Sequence, residues 1–128
     1  MAIDKSQPVL IVDDHAPMLL VIRALLRQLG FDAVDEAGDG TAALAMLRRK
    51  PYRLVISDCN MQPMTGLDLL RRVRAEEALK DLPFLMVTAE SRTENVIAAR
   101  EAGVSGYLMK PFGIDSFRDK IRSVGCGP

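Results

Sequence analysis

The sequence predicts an α/β fold with a parallel sheet, and two observations carry this prediction. Short aliphatic runs alternate five times with longer stretches in which apolar residues recur every three or four positions. The short runs are typical of strands that are buried on both faces, and the longer stretches are typical of helices that pack along one side. Strands and helices that alternate in this way form a parallel sheet with right-handed crossovers.

Four of the aliphatic runs end in a polar signature. Because the carboxyl ends of parallel strands lie at one edge of a sheet, we expect three acids, a hydroxyl and an amine to meet there. A fifth strand is expected around Ala33–Ala37. The four runs are Val9–Val12 before Asp13-Asp14, Leu54–Ser57 before Asp58, Phe84–Val87 before Thr88-Ala89, and Gly106–Met109 before Lys110-Pro111.

Five helices are predicted from apolar spacing and from capping residues. The first contains apolar residues from Met18 to Leu29, with Pro17 in its first turn and Gly30 as its stop. The others are expected after Asp39-Gly40, after the capping-box sequences Thr65–Asp68 and Ser91–Glu94, and over Ile114–Val124.

This order of elements favours the flavodoxin-like, doubly wound (βα)5 arrangement, a five-stranded parallel sheet of order 2-1-3-4-5 with helices on both faces. Its first and third strands are neighbours, and ligands bind at the switch point between them. Asp13, Asp14 and Asp58 end these two strands. Since the 128 residues contain no linker or low-complexity tract, we expect one domain over residues 1–128 and no output domain.

Composition excludes several classes of function. Lys plus Arg and Asp plus Glu number 17 each, and this balance argues against a nucleic-acid partner. No apolar stretch reaches the roughly 20 residues that span a bilayer, and the N-terminus lacks the apolar core of a signal peptide. Cys59 and Cys126 have neither metal-site nor disulfide spacing. We expect a cytoplasmic monomer with free thiols and no membrane partner.

The residues expected at the carboxyl edge of the sheet suggest what reaction could occur there. Two unit charges about 5 Å apart repel by roughly 3 kcal/mol at an effective dielectric of 20, so three carboxylates need a counter-charge. Mg²⁺ suits such oxygen ligands, Lys110 adds an ammonium and Thr88 adds a hydroxyl. These are the parts for Mg²⁺-dependent phosphoryl transfer onto an aspartate, with Asp58 attacking in line.

The chain resembles bacterial two-component response-regulator receiver domains, most closely the stand-alone, CheY-like members of that family. The resemblance covers about Pro8 to Val124. It is carried by Val12-Asp13-Asp14, Ile56-Ser57-Asp58, Val87-Thr88-Ala89-Glu90 and Gly106-Tyr107-Leu108-Met109-Lys110-Pro111-Phe112.

The resemblance implies that Asp58 is the phosphoacceptor and that a sensor histidine kinase or a histidine phosphotransfer protein is the donor. Asp14 would bind Mg²⁺ directly, Asp13 would hold it through water, and Asp58 and the main-chain carbonyl of Asn60 would be further ligands. Lys110 would pair first with the acceptor and then with the phosphate.

A switch is implied as well. Thr88 would move toward the phosphoryl group, Tyr107 would turn inward behind it, and the Lys110-Pro111 bond would be cis. Signalling would follow through binding of a downstream protein, for which the flagellar motor switch of chemotaxis is one candidate. The partner face would carry Tyr107, Val96, Val104, Met109 and Lys120.

The chain departs from the family pattern in one loop. Gln62 stands where a proline is usual, and Thr65 stands where an aspartate is common. Thr65 still suits an N-cap, whereas Gln62 puts the stiffness of the loop in question. Neither departure touches the acceptor or the metal residues.

Other functions and other roles for single residues stay open. A Mg²⁺-dependent hydrolase with an aspartyl-phosphate intermediate, a phosphorelay intermediate and a phosphorylation-independent adaptor remain alternatives. A flavodoxin-like cofactor carrier ranks last, because Asp13-Asp14-His15 would repel a phosphate. We interpret His15 as a surface residue, Cys59 as packing, and Arg71, Arg72 and Arg74 as a solvated helix face.

Overall fold

A computed structural model describes residues 8–89 and 92–126. Five strands and five helices alternate along it, as predicted. The strands are β1 (Val9–Val12), β2 (Val34–Ala37), β3 (Leu54–Ser57), β4 (Phe84–Thr88) and β5 (Gly106–Met109). The helices are α1 (Ala16–Gln28), α2 (Gly40–Arg49), α3 (Gly66–Ala75), α4 (Thr93–Glu101) and α5 (Ile114–Cys126).

The five strands form one parallel sheet of order β2-β1-β3-β4-β5. Val12 at the end of β1 pairs with Ser57 at the end of β3, and Thr88 pairs with Met109 in the same way for β4 and β5. The strands therefore end nearly level, and the residues that follow them lie along one edge. The predicted fold and strand order are confirmed.

Two buried clusters, one on each face of the sheet, explain why the strands are continuously apolar. Alternate residues of β1 enter different clusters: Leu10 packs with α2 and α3, whereas Ile11 packs with α1 and α5. Successive strand side chains point to opposite faces, so a strand covered on both sides needs apolar residues throughout. Each fully buried Leu or Ile contributes about 1.5–3 kcal/mol. Among the described residues, no helix has both the length and the apolar character to cross a membrane.

The capping predictions are confirmed for α1, α2 and α3, whereas the N-cap of α4 lies one residue later than predicted. The Thr65 hydroxyl accepts a hydrogen bond from the Asp68 N–H at 3.0 Å, which caps α3. Gly30 has φ 94°, the left-handed conformation that ends a helix, just after α1. Helix α4 has Arg92 at its N-cap position. Ser91, the predicted cap, and Glu90 lie outside the described residues.

The predicted solvated arginine face is wrong for Arg74, although Arg71 and Arg72 are exposed. Arg74 is half-buried, and burial lowers the pKa of its guanidinium. A guanidinium offers five donors, and here they satisfy carbonyls of two loops that flank β4. Its partners are the carbonyl oxygens of Gly103 at 2.9 Å, Lys80 at 3.1 Å and Leu82 at 2.7 Å, and the Ser105 hydroxyl at 3.4 Å.

Candidate functional site

A cavity of about 520 Å³ opens at the carboxyl edge of the sheet. It brings together four of the predicted site residues, which come from the ends of three different strands. The lining residues are Asp14, His15, Pro17, Met18, Val21, Asp58, Asn60, Ala89 and Lys110. The predicted convergence of acids and amine is therefore present in the structure.

The acids meet here around a single ammonium. Lys110 Nζ lies 3.4 Å from Asp13 Oδ2 and 3.6 Å from Asp58 Oδ1. The Lys110 side chain is 18% exposed and the Asp13 side chain is 2% exposed, so solvent screens the first contact poorly. One cation thus serves two carboxylates, and the cavity keeps an excess of negative charge.

Asp13 is the most deeply placed of these acids. Burial raises the pKa of its carboxyl group, against the opposing effects of the His15 N–H and the Lys110 ammonium. Its Oδ1 accepts a hydrogen bond from the His15 N–H at 2.9 Å. Burial thus disfavours the charged form, and additional positive charge near Asp13 would offset that cost.

Backbone contacts hold the strand ends together beneath the cavity. The Asp58 N–H donates to the Val12 carbonyl at 3.0 Å, and the Lys110 N–H donates to the Thr88 carbonyl at 2.9 Å. The first bond joins β3 to β1, and the second joins β5 to β4. The functional side chains are therefore carried by hydrogen-bonded strand ends rather than by free loops.

Gly66, the first residue of α3, lies directly against the backbone of the acceptor loop. Its N–H donates to the Cys59 carbonyl at 2.8 Å, and a Cβ added there would lie 2.0 Å from the Asp58 carbonyl oxygen. Only glycine permits this approach. The small residue therefore helps to fix the position of Asp58.

Two X-Pro bonds next to the site are cis. One is the expected Lys110-Pro111 bond, and the other is Gln62-Pro63. The second was not predicted. It lies in the loop where the chain departs from the family pattern.

The Thr88 side chain was expected at the cavity, but Thr88 is not one of the residues that line it. It ends β4 and has no exposed surface, and its neighbour Ala89 lines the cavity in its place. The predicted contact between its hydroxyl and a phosphoryl group therefore stays a prediction. Cys59 is buried and belongs to the apolar cluster, as interpreted from the sequence.

The described residues contain one group of three side chains suited to a metal ion. The ligand atoms of Asp13, Asp14 and His15 lie within 4.8 Å of one another. Asp58 lies outside this group, although it lines the same cavity as Asp14 and His15. The oxygen donors fit a hard divalent cation. His15 was not among the predicted site residues; it is adjacent to the acid pair in the sequence, but adjacency alone does not fix where its ring lies.

The predicted partner face is mixed in its exposure. Val104 and Tyr107 are partly buried against the apolar cluster, whereas Met109 is 38% exposed. Val96 and Lys120 are half-buried. Ile97 of α4, which the prediction did not include, is 46% exposed. The apolar pattern of α4 does not show which of its residues face the core, so the sequence contains no signal for this exposure.

A larger cavity of about 630 Å³ lies elsewhere, beside α3. Its ionisable lining residues are Asp68, Arg71 and Arg72. Two arginines and one aspartate on an open helix surface provide no buried acceptor and no shared cation. The gathering of ionisable groups, and not cavity size, identifies the candidate site.

Comparisons with known proteins agree with this geometry. The family model for the response regulator receiver domain matches residues 9–122. The chain is 50% identical over 116 residues to the chemotaxis protein CheY of Pseudomonas aeruginosa, covering 91% of this chain and 94% of that protein. It is 44% identical over 122 residues to the chemotaxis protein CheY-3 of Vibrio cholerae, covering 95% and 94%.

A solved structure adds a relative with a metal. It is the receiver domain of the sensor histidine kinase PA1611 from Pseudomonas aeruginosa, described with a magnesium ion coordinated in the active site cleft. Its TM-score is 0.84 at 30% identity, covering 94% of this chain and 98% of that one. The chain belongs to the response regulator receiver domain family, whose CheY-type members act in phosphorylation-dependent two-component signalling.

Proposed function

We propose that the chain is a signalling switch that accepts a phosphoryl group on Asp58 from a histidine kinase or a histidine phosphotransfer protein. One observation carries the proposal: the Lys110 ammonium lies between Asp13 and Asp58, at 3.4 and 3.6 Å, in a cavity that opens to solvent. Asp58 lies beside this cation and lines the open cavity. A phosphoryl group can therefore reach its carboxylate from solvent without a rearrangement of the core.

The proposed transfer is an in-line displacement. An Asp58 oxygen forms the new bond to phosphorus while the bond from phosphorus to the donor histidine nitrogen breaks, and that nitrogen keeps the electron pair. Lys110 neutralises charge on the transferred group. Asp13, Asp14, Asp58 and the main-chain carbonyl of Asn60 would hold Mg²⁺, which supplies charge neutralisation at the phosphoryl oxygens when bound.

Phosphorylation would change the partners of Lys110. A phosphoryl group brings a charge of about −1.5 to −2 and three acceptor oxygens, which compete with Asp13 for the ammonium. The Lys110 N–H is bonded to the Thr88 carbonyl, so a shift of Lys110 acts on the ends of β4 and β5 together. We propose that this pull, with the Thr88 hydroxyl and the Tyr107 ring, biases an existing equilibrium of α4 and β5.

The proposed output is the binding of another protein. Receiver domains interact with histidine kinases and with downstream targets, and the chemotaxis relatives make the flagellar motor switch the first target to test. The proposed face combines the five predicted residues with the exposed Ile97. We propose that residues 1–128 act as a single receiver in the cytoplasm, where the Cys59 thiol remains reduced.

Chemical phosphorylation tests the acceptor. With Mg²⁺ and acetyl phosphate, the full chain should gain one hydroxylamine-sensitive phosphoryl group, measured by intact mass. Asp58→Asn should gain none, because the amide is not a nucleophile for this transfer. Asp35→Asn is the matched control, because it removes an aspartate of the same sheet that lies on the edge strand β2 and does not line the cavity. This variant should be labelled to the same extent as the parent chain. Equal labelling of Asp58→Asn would reject Asp58 as the acceptor.

A further inference from the structure

His15 brings a nitrogen ligand to a site that otherwise offers oxygen. A ring nitrogen of His15 lies within 4.8 Å of carboxylate oxygens of both Asp13 and Asp14. The same side chain lines the cavity with Asp58 and Asn60. The histidine is thus on the cavity side of the acid pair, where an ion held by the two aspartates would also lie.

The backbone of His15 is held by hydrogen bonds, and the imidazole ring takes no part in capping the helix. His15 is the N-cap residue of α1, but its side chain makes no capping hydrogen bond. Its main-chain N–H donates to Asp13 Oδ1 at 2.9 Å, and its carbonyl accepts from the N–H groups of Met18 and Leu19. The backbone is therefore fixed at both ends of the residue, while the ring remains available to a ligand.

The distances are compatible with a shared ion. Ligand atoms that are each about 2.1 Å from one ion lie about 3.0 to 3.4 Å apart in octahedral or tetrahedral sites. The separations in the group, at most 4.8 Å, exceed these spacings by less than about 2 Å. Rotation of an exposed Asp14 and an exposed His15 can close such a gap.

We infer that Asp13, Asp14 and His15 form a site for a transition-metal ion such as Zn²⁺ or Co²⁺, with a His15 ring nitrogen as a direct ligand. Imidazole suits these ions, whereas Mg²⁺ prefers oxygen ligands and retained water. His15 therefore adds affinity for the transition metal and leaves Mg²⁺ binding unchanged. The two kinds of ion compete for the same two carboxylates, so a transition metal displaces Mg²⁺ from the proposed phosphorylation site.

The test compares metals on the full chain and on His15→Gln, both carrying Cys126→Ser so that this thiol does not compete. Affinities for Zn²⁺, Co²⁺ and Mg²⁺ are measured by calorimetry. His15→Gln should bind Zn²⁺ and Co²⁺ at least tenfold more weakly and Mg²⁺ within twofold of the parent. Unchanged Zn²⁺ affinity, or an equal loss for all three metals, would overturn the inference.

A spectroscopic measurement reports the ligand itself. His15 is the single histidine of the chain, so every imidazole ¹⁵N signal belongs to it. Its ring nitrogen signals should shift on addition of Zn²⁺ and stay in place on addition of Mg²⁺. Signals that do not move with Zn²⁺ would show that the ring is not a ligand.

This inference rests on the proposed metal site through Asp13 and Asp14, and two variants separate it from the proposed function. Asp14→Asn should weaken both Zn²⁺ and Mg²⁺ binding, and retained Zn²⁺ affinity would place the ion elsewhere. Asp58→Asn should keep the Zn²⁺-dependent ring shift although it accepts no phosphoryl group. Loss of that shift would refute the Asp13-Asp14-His15 ligand set, whereas labelling of Asp58→Asn would refute only the acceptor.

Discussion

Two clusters of aspartate and lysine within residues 8–89 and 92–126 are built in opposite ways. On the edge strand β2, the Asp35 carboxylate accepts hydrogen bonds from the Tyr52 hydroxyl at 2.6 Å and from Lys50 Nζ at 3.0 Å. At the carboxyl edge, the Lys110 ammonium is shared by Asp13 and Asp58 at 3.4 and 3.6 Å. The Asp35 carboxylate has an ammonium of its own, whereas Asp13 and Asp58 share one ammonium and leave negative charge unbalanced.

The pKa values of the two buried or half-buried acids, Asp35 and Asp13, are shifted in opposite directions. Hydrogen bonds from Tyr52 and then Lys50 lower the pKa of Asp35, and desolvation raises the pKa of the Tyr52 hydroxyl. Burial instead raises the pKa of Asp13. The Asp35 cluster therefore stabilises the folded chain by itself, while the Asp13 cluster lacks positive charge that a bound ion can provide. The unbalanced charge at the carboxyl edge, rather than the mere presence of charged residues, therefore marks that edge as the candidate site for a cation.

The largest effect on stability is expected from breaking the packing that supports the carboxyl edge. Gly66→Ala would place a methyl group 2.0 Å from the Asp58 carbonyl oxygen. The forced shift of backbone should lower the free energy of unfolding by about 3 kcal/mol, measured by urea denaturation. Gly38→Ala is the control, because its added Cβ has no neighbour within 4 Å. Similar losses for both variants would contradict the close approach.

The second largest effect is expected on Mg²⁺ affinity, which should depend on the acids at the carboxyl edge and not on Asp35. Asp14→Asn should weaken Mg²⁺ binding about 100-fold, which corresponds to about 2.7 kcal/mol, because it removes a charged ligand. Asp35→Asn should bind Mg²⁺ like the parent chain, since the Asp35 carboxylate is already occupied by Tyr52 and Lys50. Calorimetric titration with Mg²⁺ measures both. Unchanged affinity in Asp14→Asn would mean that the ion binds elsewhere.

A smaller loss of folding stability is expected when the hydrogen bond between Tyr52 and Asp35 is removed. Tyr52→Phe removes the 2.6 Å hydrogen bond to Asp35 and should lower the free energy of unfolding by about 1 kcal/mol at neutral pH. A double-mutant cycle with Asp35→Asn should be non-additive, because both changes remove the same interaction. Additive losses would show that the two side chains do not stabilise each other.

The smallest expected effect is the pH dependence of that contribution. Since the folded-state pKa of Asp35 is lowered below 3.8, its contribution is complete above that value and declines as pH falls through the folded-state pKa. The difference in stability between the parent chain and Asp35→Asn should therefore shrink between pH 6 and pH 3, as measured by urea denaturation. A difference that grows with acidity would reverse the assigned sign.

The sequence predicted most of the fold because β1, β3 and β4 are buried on both faces. That burial requires unbroken aliphatic runs, so the bounds of β1 and β3 agree with the runs in the sequence, and β4 extends one residue beyond its run, to Thr88. The edge strand β2 contains Asp35 and Glu36, and its predicted start at Ala33 is one residue early. Strand ends that are level across a parallel sheet then made the meeting of Asp14, Asp58 and Lys110 predictable.

The rest depended on tertiary contacts that periodicity does not encode. Arg74 looks like any exposed helical arginine until two loops place their carbonyl oxygens around it. His15 shows its proximity to the acid pair only once the first turn of α1 is built. The exposure of Ile97 depends on what packs against α4, which its own sequence does not specify.

The Arg74 guanidinium also determines where a rearrangement of α4 can pivot. Its bonds to Gly103 and Ser105 hold the junction between α4 and β5, at the end of α4 opposite Thr93. A motion that preserves these bonds is a swing about that junction, with the greatest displacement in the first helical turn. Sliding of the whole helix would instead require the guanidinium to release the Gly103 carbonyl and the Ser105 hydroxyl, so the anchored arginine favours a hinged motion over a translation.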